Sequence, residues 1–411
     1  MARRRKKKPR NLTMAYFWWI TGVILGLAWA SRIVDAALGM PSVADVSHPE
    51  WDRSPVLTSG NPRVSIIVPA RNEEAEIENC LQSLLALDYD NYEVIAVNDR
   101  SNDRTGEIME RIASSCRLVK TEKSGPPKLK IIHHTELPFG WLGKTHAMWT
   151  GANAATGEWL LFTDADVIFK PDSVRRALAY GEAEPADHVV LFPRMIMKRP
   201  GEYMMIAFFQ TMFMFGHRPW KVADPSTNDH MGVGAFNLVR RSVYEAVGTY
   251  HALRMEVLDD MKLGKVVKNS GFAQRNVFGG DLISIHWGHG AFGIVNNLTK
   301  NFFAVLSFQL WRTVLSAFGL VLLNLGPFLG FWLSHGWQRL PFAIALASMF
   351  MIYIGMSWRS SVPPYYFFLH PVSTVFFTYT LLRSMWLTLW NDGIVWRGTK
   401  YPLEELRKGM V

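Results

Sequence analysis

Two pairs of carboxylates carry the chemistry in this chain. The first closes the run Glu158-Trp-Leu-Leu-Phe-Thr-Asp164-Ala-Asp166-Val-Ile-Phe169, where a short apolar segment ends abruptly in acid groups spaced i, i+2. On an extended strand those side chains project to the same side. Buried like charges that close repel one another unless a cation sits between them. Hard oxygen ligands of this kind suit Mg²⁺ or Mn²⁺, with substrate phosphates as the usual remaining ligands. The alternative is that Asp164 and Asp166 cap a helix beginning near Asp172. The second pair, Asp259-Asp260, opens a helical pattern. Those carboxylates either complement the helix N-terminus or supply a general base.

The elements that must hold these groups follow from the hydrophobic pattern. Val64–Val68 is a continuous apolar strand, followed by Pro69-Ala70-Arg71-Asn72-Glu73 and a helix marked by Ile77, Leu81, Leu84 and Leu85. A second strand, Tyr92–Val97, ends at Asn98-Asp99-Arg-Ser-Asn-Asp103-Arg-Thr105 and a second helix. Leu129–Ile132 forms a third strand, 145–155 a helix and 158–163 a fourth strand. Strand and helix alternating at short intervals mean an α/β fold with a parallel sheet. Ligands in such sheets gather beyond the carboxyl ends of the strands. Pro69 to Glu73, Asp99 and the Asp164/Asp166 pair all fall at such ends.

Gly140-Trp-Leu-Gly143-Lys144-Thr145 looks like the end of a phosphate-binding loop, but Pro138 stands where that loop has its first glycine. The segment also lies between the third and fourth strands, which argues against a P-loop nucleotidase. Lys144 beside a diphosphate at a helix start, or Lys144 as a solvated surface residue, both remain open.

Composition adds a membrane. Apolar residues make up 49% of the 411 and are concentrated at the two ends, with 16 Trp and 25 Phe. The net charge of +9 does not require nucleic acid, because its densest run, Arg3 to Lys8, adjoins a hydrophobic segment and suits anionic headgroups. Residues 14–30 could span a bilayer, and 313–333, 340–357 and 365–390 read as further spans. A basic N-terminus prefers the cytoplasm, whereas a single crossing would then export residues 41–290. An interfacial or re-entrant first segment, or a start at Met14, resolves this. Cys80 and Cys116 define neither a disulfide framework nor a metal site.

Taken together, Ile67-Val-Pro-Ala-Arg-Asn-Glu73, Asn98-Asp99-Arg-Ser-Asn-Asp103, Asp164-Ala-Asp166 and Asp259-Asp260 resemble the ordered signatures of family-2 glycosyltransferases. The likeness covers roughly 62–290. With the flanking spans it points to the membrane-bound branch, which includes hopanoid-associated and other lipid-modifying bacterial enzymes. The resemblance implies a GT-A-type, Rossmann-like nucleotide-sugar-binding domain with flanking transmembrane helices. Pro69, Ala70, Arg71, Glu73 and Asp99 would bind the nucleotide-sugar, with Lys144 and Asp164 at its diphosphate. Asp166, helped by Asp164, would hold Mg²⁺ or Mn²⁺. Asp260 would be the base; the family's pair is Glu-Asp, so Asp259 is the alternative.

The implied reaction is inverting transfer from a nucleotide-sugar, UDP-sugar favoured, to a lipid acceptor on a multi-pass cell-membrane protein whose catalytic domain faces the cytoplasm. The Gln-x-x-Arg-Trp signature of processive synthases is missing, which argues against a polysaccharide synthase. A non-catalytic nucleotide-binding membrane protein or transporter is the remaining rival. The expected organisation is a basic tail and anchor over 1–40, a linker over 41–62 and the catalytic domain over 63–290. An interfacial segment over 291–312, transmembrane helices over 313–395 and an interfacial tail over 396–411 complete the chain.

Overall fold

The computed structural model describes residues 12–55, 60–118 and 128–410; the basic run Arg3 to Lys8 lies outside them. A helix α1 (Leu12–Gly39) leads to the central domain. There, strands β1 (Val64–Ala70), β2 (Tyr92–Asp99), β3 (Leu129–His134) and β4 (Trp159–Phe162) alternate with helices α2 (Ile77–Leu85), α3 (Thr105–Leu118) and α4 (Gly143–Ala154). Next come β5 (Val167–Phe169), α5 (Ser173–Ala183), β6 (His188–Phe192), β7 (Arg194–Met195) and α6 (Pro200–Gly216). They are followed by β8 (Asn237–Arg240), α7 (Arg241–Ala246), α8 (Thr249–Ala252), α9 (Asp259–Asn269), β9 (Gln274–Phe278) and β10 (Ile283–Ile285). The remainder is α10 (Gly290–Val305), α11 (Leu310–Leu333), α12 (Arg339–Ser360), α13 (His370–Trp390), the strands β11 (Gly393–Trp396) and β12 (Thr399–Pro402), and α14 (Leu403–Lys408).

The main sheet has the order β3-β2-β1-β4-β8-β6-β9. Its first four strands are parallel, as the alternation of elements requires, but β8 runs antiparallel to both β4 and β6. Both faces are covered. Val64, Ile66 and Val68 enter the core beneath α2 and α5, while the intervening Ile67 joins Ile95, Val97 and Met148 on the α4 side. A smaller sheet, β5-β10-β7, stands beside the first. Residues 43–52, expected as linker, form a strap. Val46 N–H donates to the Phe278 carbonyl at 2.8 Å, and the Arg176 guanidinium donates to the His48 carbonyl at 3.0 Å.

Among the described residues three helical stretches are long and apolar enough to cross a membrane: Met14–Ser42, Leu310–Leu333 and Gly336–Ser360. The apolar faces they leave uncovered are extensive, with Ile24, Leu27, Phe318 and Trp332 all exposed. Helix α1 packs along α12 through Gly22 and Gly26. A Cβ at Gly26 would sit 2.9 Å from the Pro341 carbonyl oxygen, so only glycine permits this approach.

The expected span over 365–390 is interrupted. Pro364–Leu369 is a 3₁₀ turn, and α13 begins only at His370. Helix α13 carries Ser373, Thr374, Thr380, Ser384 and Thr388 buried against its neighbours, and this polarity keeps it out of the apolar set. At its start, His370 hydrogen-bonds Tyr353 Oη and Asn324 Oδ1, both at 2.9 Å, which ties α11, α12 and α13 together with no stranded polar atom on the ring.

Candidate active site

The parallel register places the site. Ala70 lies opposite Asn98 and Asp99 opposite His134, so the loops leaving β1, β2 and β3 emerge at one edge, where the turn after β4 joins them. The loops after β1 and β2 are stitched together. Asn72 N–H donates to Ser101 Oγ (3.0 Å), Glu73 N–H to Thr105 Oγ1 (2.8 Å) and Glu74 N–H to an Asp103 carboxylate oxygen (3.1 Å). Asp103 therefore braces the two loops. Asn72 and Arg100 both adopt left-handed backbone angles, φ 54° and 55°.

Asp99 is almost fully buried. Arg100 grips it with two hydrogen bonds of 2.7 and 2.9 Å, and Arg71 approaches to 3.6 Å. Burial opposes its ionisation, yet His134, whose Nδ1 lies 3.8 Å away, and the hydrogen-bonded Arg100 guanidinium hold the carboxyl well below the usual carboxylate range. The N-terminus of α4 presses against this group. A Cβ at Gly143 would meet Asp99 Oδ2 at 2.2 Å, so the glycine is required by space rather than by backbone angle.

Lys144 is not a solvated surface residue. Its Nζ lies 2.8 Å from Asp164 Oδ1 and 3.3 Å from Asp259 Oδ1, bridging two acidic pairs that stand 95 residues apart in the chain. Burial pulls its pKa down, but the charges of Asp164, Asp259 and Asp260 raise it further, so the ammonium is permanently charged.

Asp164 and Asp166 do not cap a helix, because β5 intervenes and α5 has Asp172 at its N-cap. Both occupy the turn after β4 and line one cavity. Enclosure favours the neutral form of Asp164, but Lys144 keeps it ionised with a lowered pKa. Asp166 behaves oppositely: burial, then the charges of Asp164 and Glu73, push its pKa up. Its Oδ1 is buried with no hydrogen-bond partner. An orphaned carboxylate oxygen beside a second carboxylate is the donor set a hard divalent cation satisfies. Among the described residues no group of three His, Cys, Asp or Glu side chains is arranged to hold a metal alone, so substrate oxygens would have to complete the shell.

The Asp259-Asp260 pair sits opposite. Asp259 is buried, held by Lys144 through Oδ1 while Oδ2 has no partner. Asp260 is more open, and its Oδ1 accepts the Met261 N–H at 2.7 Å. Burial raises both carboxyls, with Lys144 opposing. The Gly232-Val-Gly234 loop threads between the pairs. A Cβ at Gly232 would lie 1.8 Å from the Asp260 carbonyl oxygen, and one at Gly234 would lie 2.3 Å from Asp164 Oδ2.

Pro69, Ala70, Arg71, Glu73, Asp99, Lys144, Asp164, Asp166, Asp259 and Asp260 thus all line a single cavity of about 1460 Å³. Sequence reasoning missed its C-terminal wall. The stretch read as an interfacial tail folds into the β11–β12 hairpin and α14, docked through Leu142, Val257, Phe303, Ile394 and Leu406. Arg397 pairs with Glu73 and donates to the Asn72 carbonyl at 3.0 Å. The hydroxyl of Tyr401 accepts the Gly143 N–H at 3.1 Å, and Lys300 of α10 rests 3.8 Å from the Trp396 ring centre. The hairpin did have a signal: Arg397-Gly398 takes φ 50° and 78° between the paired Trp396 and Thr399, the two-residue turn that X-Gly favours.

Comparison with known proteins agrees with this geometry. Residues 65–248 match the family described as Glycosyl transferase family 2. The match covers every site residue discussed above except Asp259, Asp260 and the C-terminal wall. This segment is thus similar to family-2 glycosyltransferase domains and shares the GT-A fold.

Two curated relatives, both named 4,4'-diaponeurosporenoate glycosyltransferase, come from Staphylococcus haemolyticus (strain JCSC1435) and Staphylococcus aureus (strain bovine RF122 / ET3-1). The first is 25% identical over 49% of this chain and 50% of its own length, the second 24% identical over 58% and 60%. The chain thus spans only about half of the first relative's length. Among solved structures, the mannosyltransferase PcManGT from Pyrobaculum calidifontis, in complex with GDP-Man and Mn²⁺, shares the fold. Its TM-score is 0.53 at 18% identity, covering 91% of this chain and 99% of that one.

Proposed function

We propose that this chain is a membrane-bound inverting glycosyltransferase that moves a sugar from a nucleotide-sugar, UDP-sugar favoured, to a hydroxyl of a lipid acceptor. The observation that carries this reading is the continuity of the cavity. The cavity lined by Lys144 and the carboxylates is lined also by Ile33, Phe209, Phe213, Met351, Ile352 and Trp358 of α1, α6 and α12. Its volume of about 1460 Å³ exceeds the ~300–1,000 Å³ of an ordinary small-molecule pocket, leaving room for donor and acceptor together. The relatives' named acceptor, 4,4'-diaponeurosporenoate, supports a lipid-like partner. The three apolar stretches support a multi-pass membrane protein, with the catalytic domain on the cytoplasmic side where nucleotide-sugars are available.

In this reading the β1 and β2 loops, with Glu73, Arg71 and Asp99, seat the nucleoside. Lys144 faces the diphosphate and offsets the charge that develops on it as the anomeric bond breaks. A divalent cation held by Asp166 and Asp164 would supply further Lewis-acid neutralisation there. Asp260 accepts the proton of the acceptor hydroxyl as that oxygen attacks the opposite face of the anomeric carbon. The single displacement inverts the configuration, and no carboxylate nucleophile is needed.

Helix α6 separates two roles that its composition could not. Phe208 is buried against His370 and Phe377 and holds the bundle together, whereas Phe209 and Phe213 line the cavity. Replacing Phe209 and Phe213 with Ser is therefore expected to depress transfer to lipid acceptor about tenfold or more while slow hydrolysis of the nucleotide-sugar continues. Assaying both products in the same membranes checks this. Equal loss of both, or full wild-type transfer to a water-soluble alcohol, would remove the lipid acceptor from the proposal.

The raised carboxyls of Asp259 and Asp260 give a pH signature. A base with an elevated pKa is neutral, and therefore idle, below that value and active above it. The acid limb of kcat/KM is expected above the ordinary carboxylate range of about 4, reporting the pair rather than either residue. A limb at about 4 would show that neither buried carboxyl is the base.

A further inference from the structure

The family match ends at residue 248, yet two cations from far beyond it enter the same cavity. Lys300 comes from α10 and Arg397 from the β11–β12 turn. Lys300 forms no ion pair among the described residues; its ammonium is backed instead by the Trp396 ring at 3.8 Å. Arg397 reaches the loop after β1, pairing with Glu73 and with the Asn72 carbonyl. It does so from a left-handed backbone, φ 50°, that a non-glycine residue adopts only at a cost.

We propose that Lys300 and Arg397 complete, with Lys144, a cationic clamp for the donor diphosphate, and that the hairpin bearing Arg397 straps the bound nucleotide-sugar into the cavity. The proposal rests on the donor reading above and assigns the diphosphate's recognition partly to a segment outside the matched domain.

The physical argument is charge balance. A diphosphate entering a cavity lined by Glu73, Asp99, Asp164, Asp166, Asp259 and Asp260 meets a strongly acidic wall. The Arg71 and Arg100 guanidiniums are committed to Asp99, and Lys144 is shared between two carboxylates. Lys300 and Arg397 line the same cavity, with Lys300 near enough to Lys144, Asp164 and Asp259 to feel their charges. Burial, followed by repulsion from Lys144, brings the Lys300 ammonium down to about 8, as expected for a cation that lacks a counter-ion. A phosphate oxygen would supply that counter-ion. Arg397 can exchange Glu73 for two phosphate oxygens, since its planar fork fits a phosphate as well as a carboxylate. Tyr401, hydrogen-bonded to the Gly143 N–H at 3.1 Å, anchors the hairpin to the N-terminus of α4, next to Lys144. The hairpin and the lysine therefore share one frame.

The test uses the full-length protein in detergent with Mn²⁺, titrated separately with UDP, GDP, UMP and GMP. For whichever base binds, Arg397→Ala and Lys300→Met are each expected to weaken the diphosphate about tenfold or more, with a clearly smaller effect on the monophosphate. Lys300→Arg, which keeps the charge beside the Trp396 ring, is expected to retain most of the affinity, and Arg397→Lys, which keeps the charge but loses the planar fork, to fall between wild type and Arg397→Ala. Wild-type affinity in the Ala and Met variants would overturn the clamp. So would equal weakening of di- and monophosphate, or equal loss in the charge-retaining pair, since either assigns these side chains to packing. Failure of both UDP and GDP to bind the wild type would instead remove the donor reading beneath it.

Discussion

Asp260→Asn is expected to lower kcat by about 10² or more while leaving nucleotide-sugar affinity nearly unchanged, the pattern of a lost general base. Three features of the site lead to this expectation. Asp260 opens α9 at the wall opposite Asp164 and Asp166 and is the more open member of its pair. Its carboxyl is raised by burial, which suits a base that must hold a proton during the reaction and release it afterwards. Its neighbour Asp259 is differently employed, buried and bound to Lys144 at 3.3 Å. Asp259→Asn should therefore weaken the hold on Lys144 and impair diphosphate binding as well as turnover. Separate measurement of kcat and donor Kd for both variants distinguishes the roles. If Asp259→Asn loses only kcat and Asp260→Asn stays active, the assignments are reversed.

The second large effect is expected at Asp166. Asp166→Asn should abolish measurable turnover, and EDTA should silence the native protein until Mg²⁺ or Mn²⁺ is restored. A Lewis acid at a leaving diphosphate contributes several kcal/mol, which at about 1.4 kcal/mol per decade corresponds to a loss of roughly 10³ or more. The motivation is the buried, unpartnered Asp166 Oδ1 beside an ionised Asp164. Asparagine would keep the shape and remove the charge, so folding should survive. Asp164→Asn is a less specific probe, because it also breaks the 2.8 Å contact with Lys144. Activity that persists through both EDTA and Asp166→Asn would mean that Lys144 and its fellow cations carry the diphosphate charge without a metal.

Much of this was written locally in the chain. The strand at Val64, the strand ending at Asp99 and the strand before Asp164 each announce themselves by an apolar run closed by polar residues, and parallel strands must present those ends at one edge. The pattern also disclosed α9 with its two opening carboxylates, the apolar helices and the Met- and Phe-rich α6.

What the pattern could not decide depends on contacts between distant residues. The antiparallel entry of β8 beside β4 comes from a strand of four residues, too short for its direction to be read from alternation. Whether Lys144 was solvated or drawn into the cavity turned on Asp164 and Asp259, whose approach requires the Gly232-Val-Gly234 loop to pass without side chains in its way. Composition marked Phe208 and Phe209 alike, but adjacent residues on a helix face different directions, and only the packing of α6 on α13 put one in the bundle and the other in the cavity. The widest gap is at the C-terminus. Arg397 meets Glu73 across 324 residues, a pairing with no local trace, because a charged hairpin turn is equally soluble in water. Local periodicity determined the elements and the chemistry they carry. The closing of the site was decided by the apolar cluster of Leu142, Phe303, Ile394 and Leu406, whose burial brings the C-terminal hairpin onto the central domain.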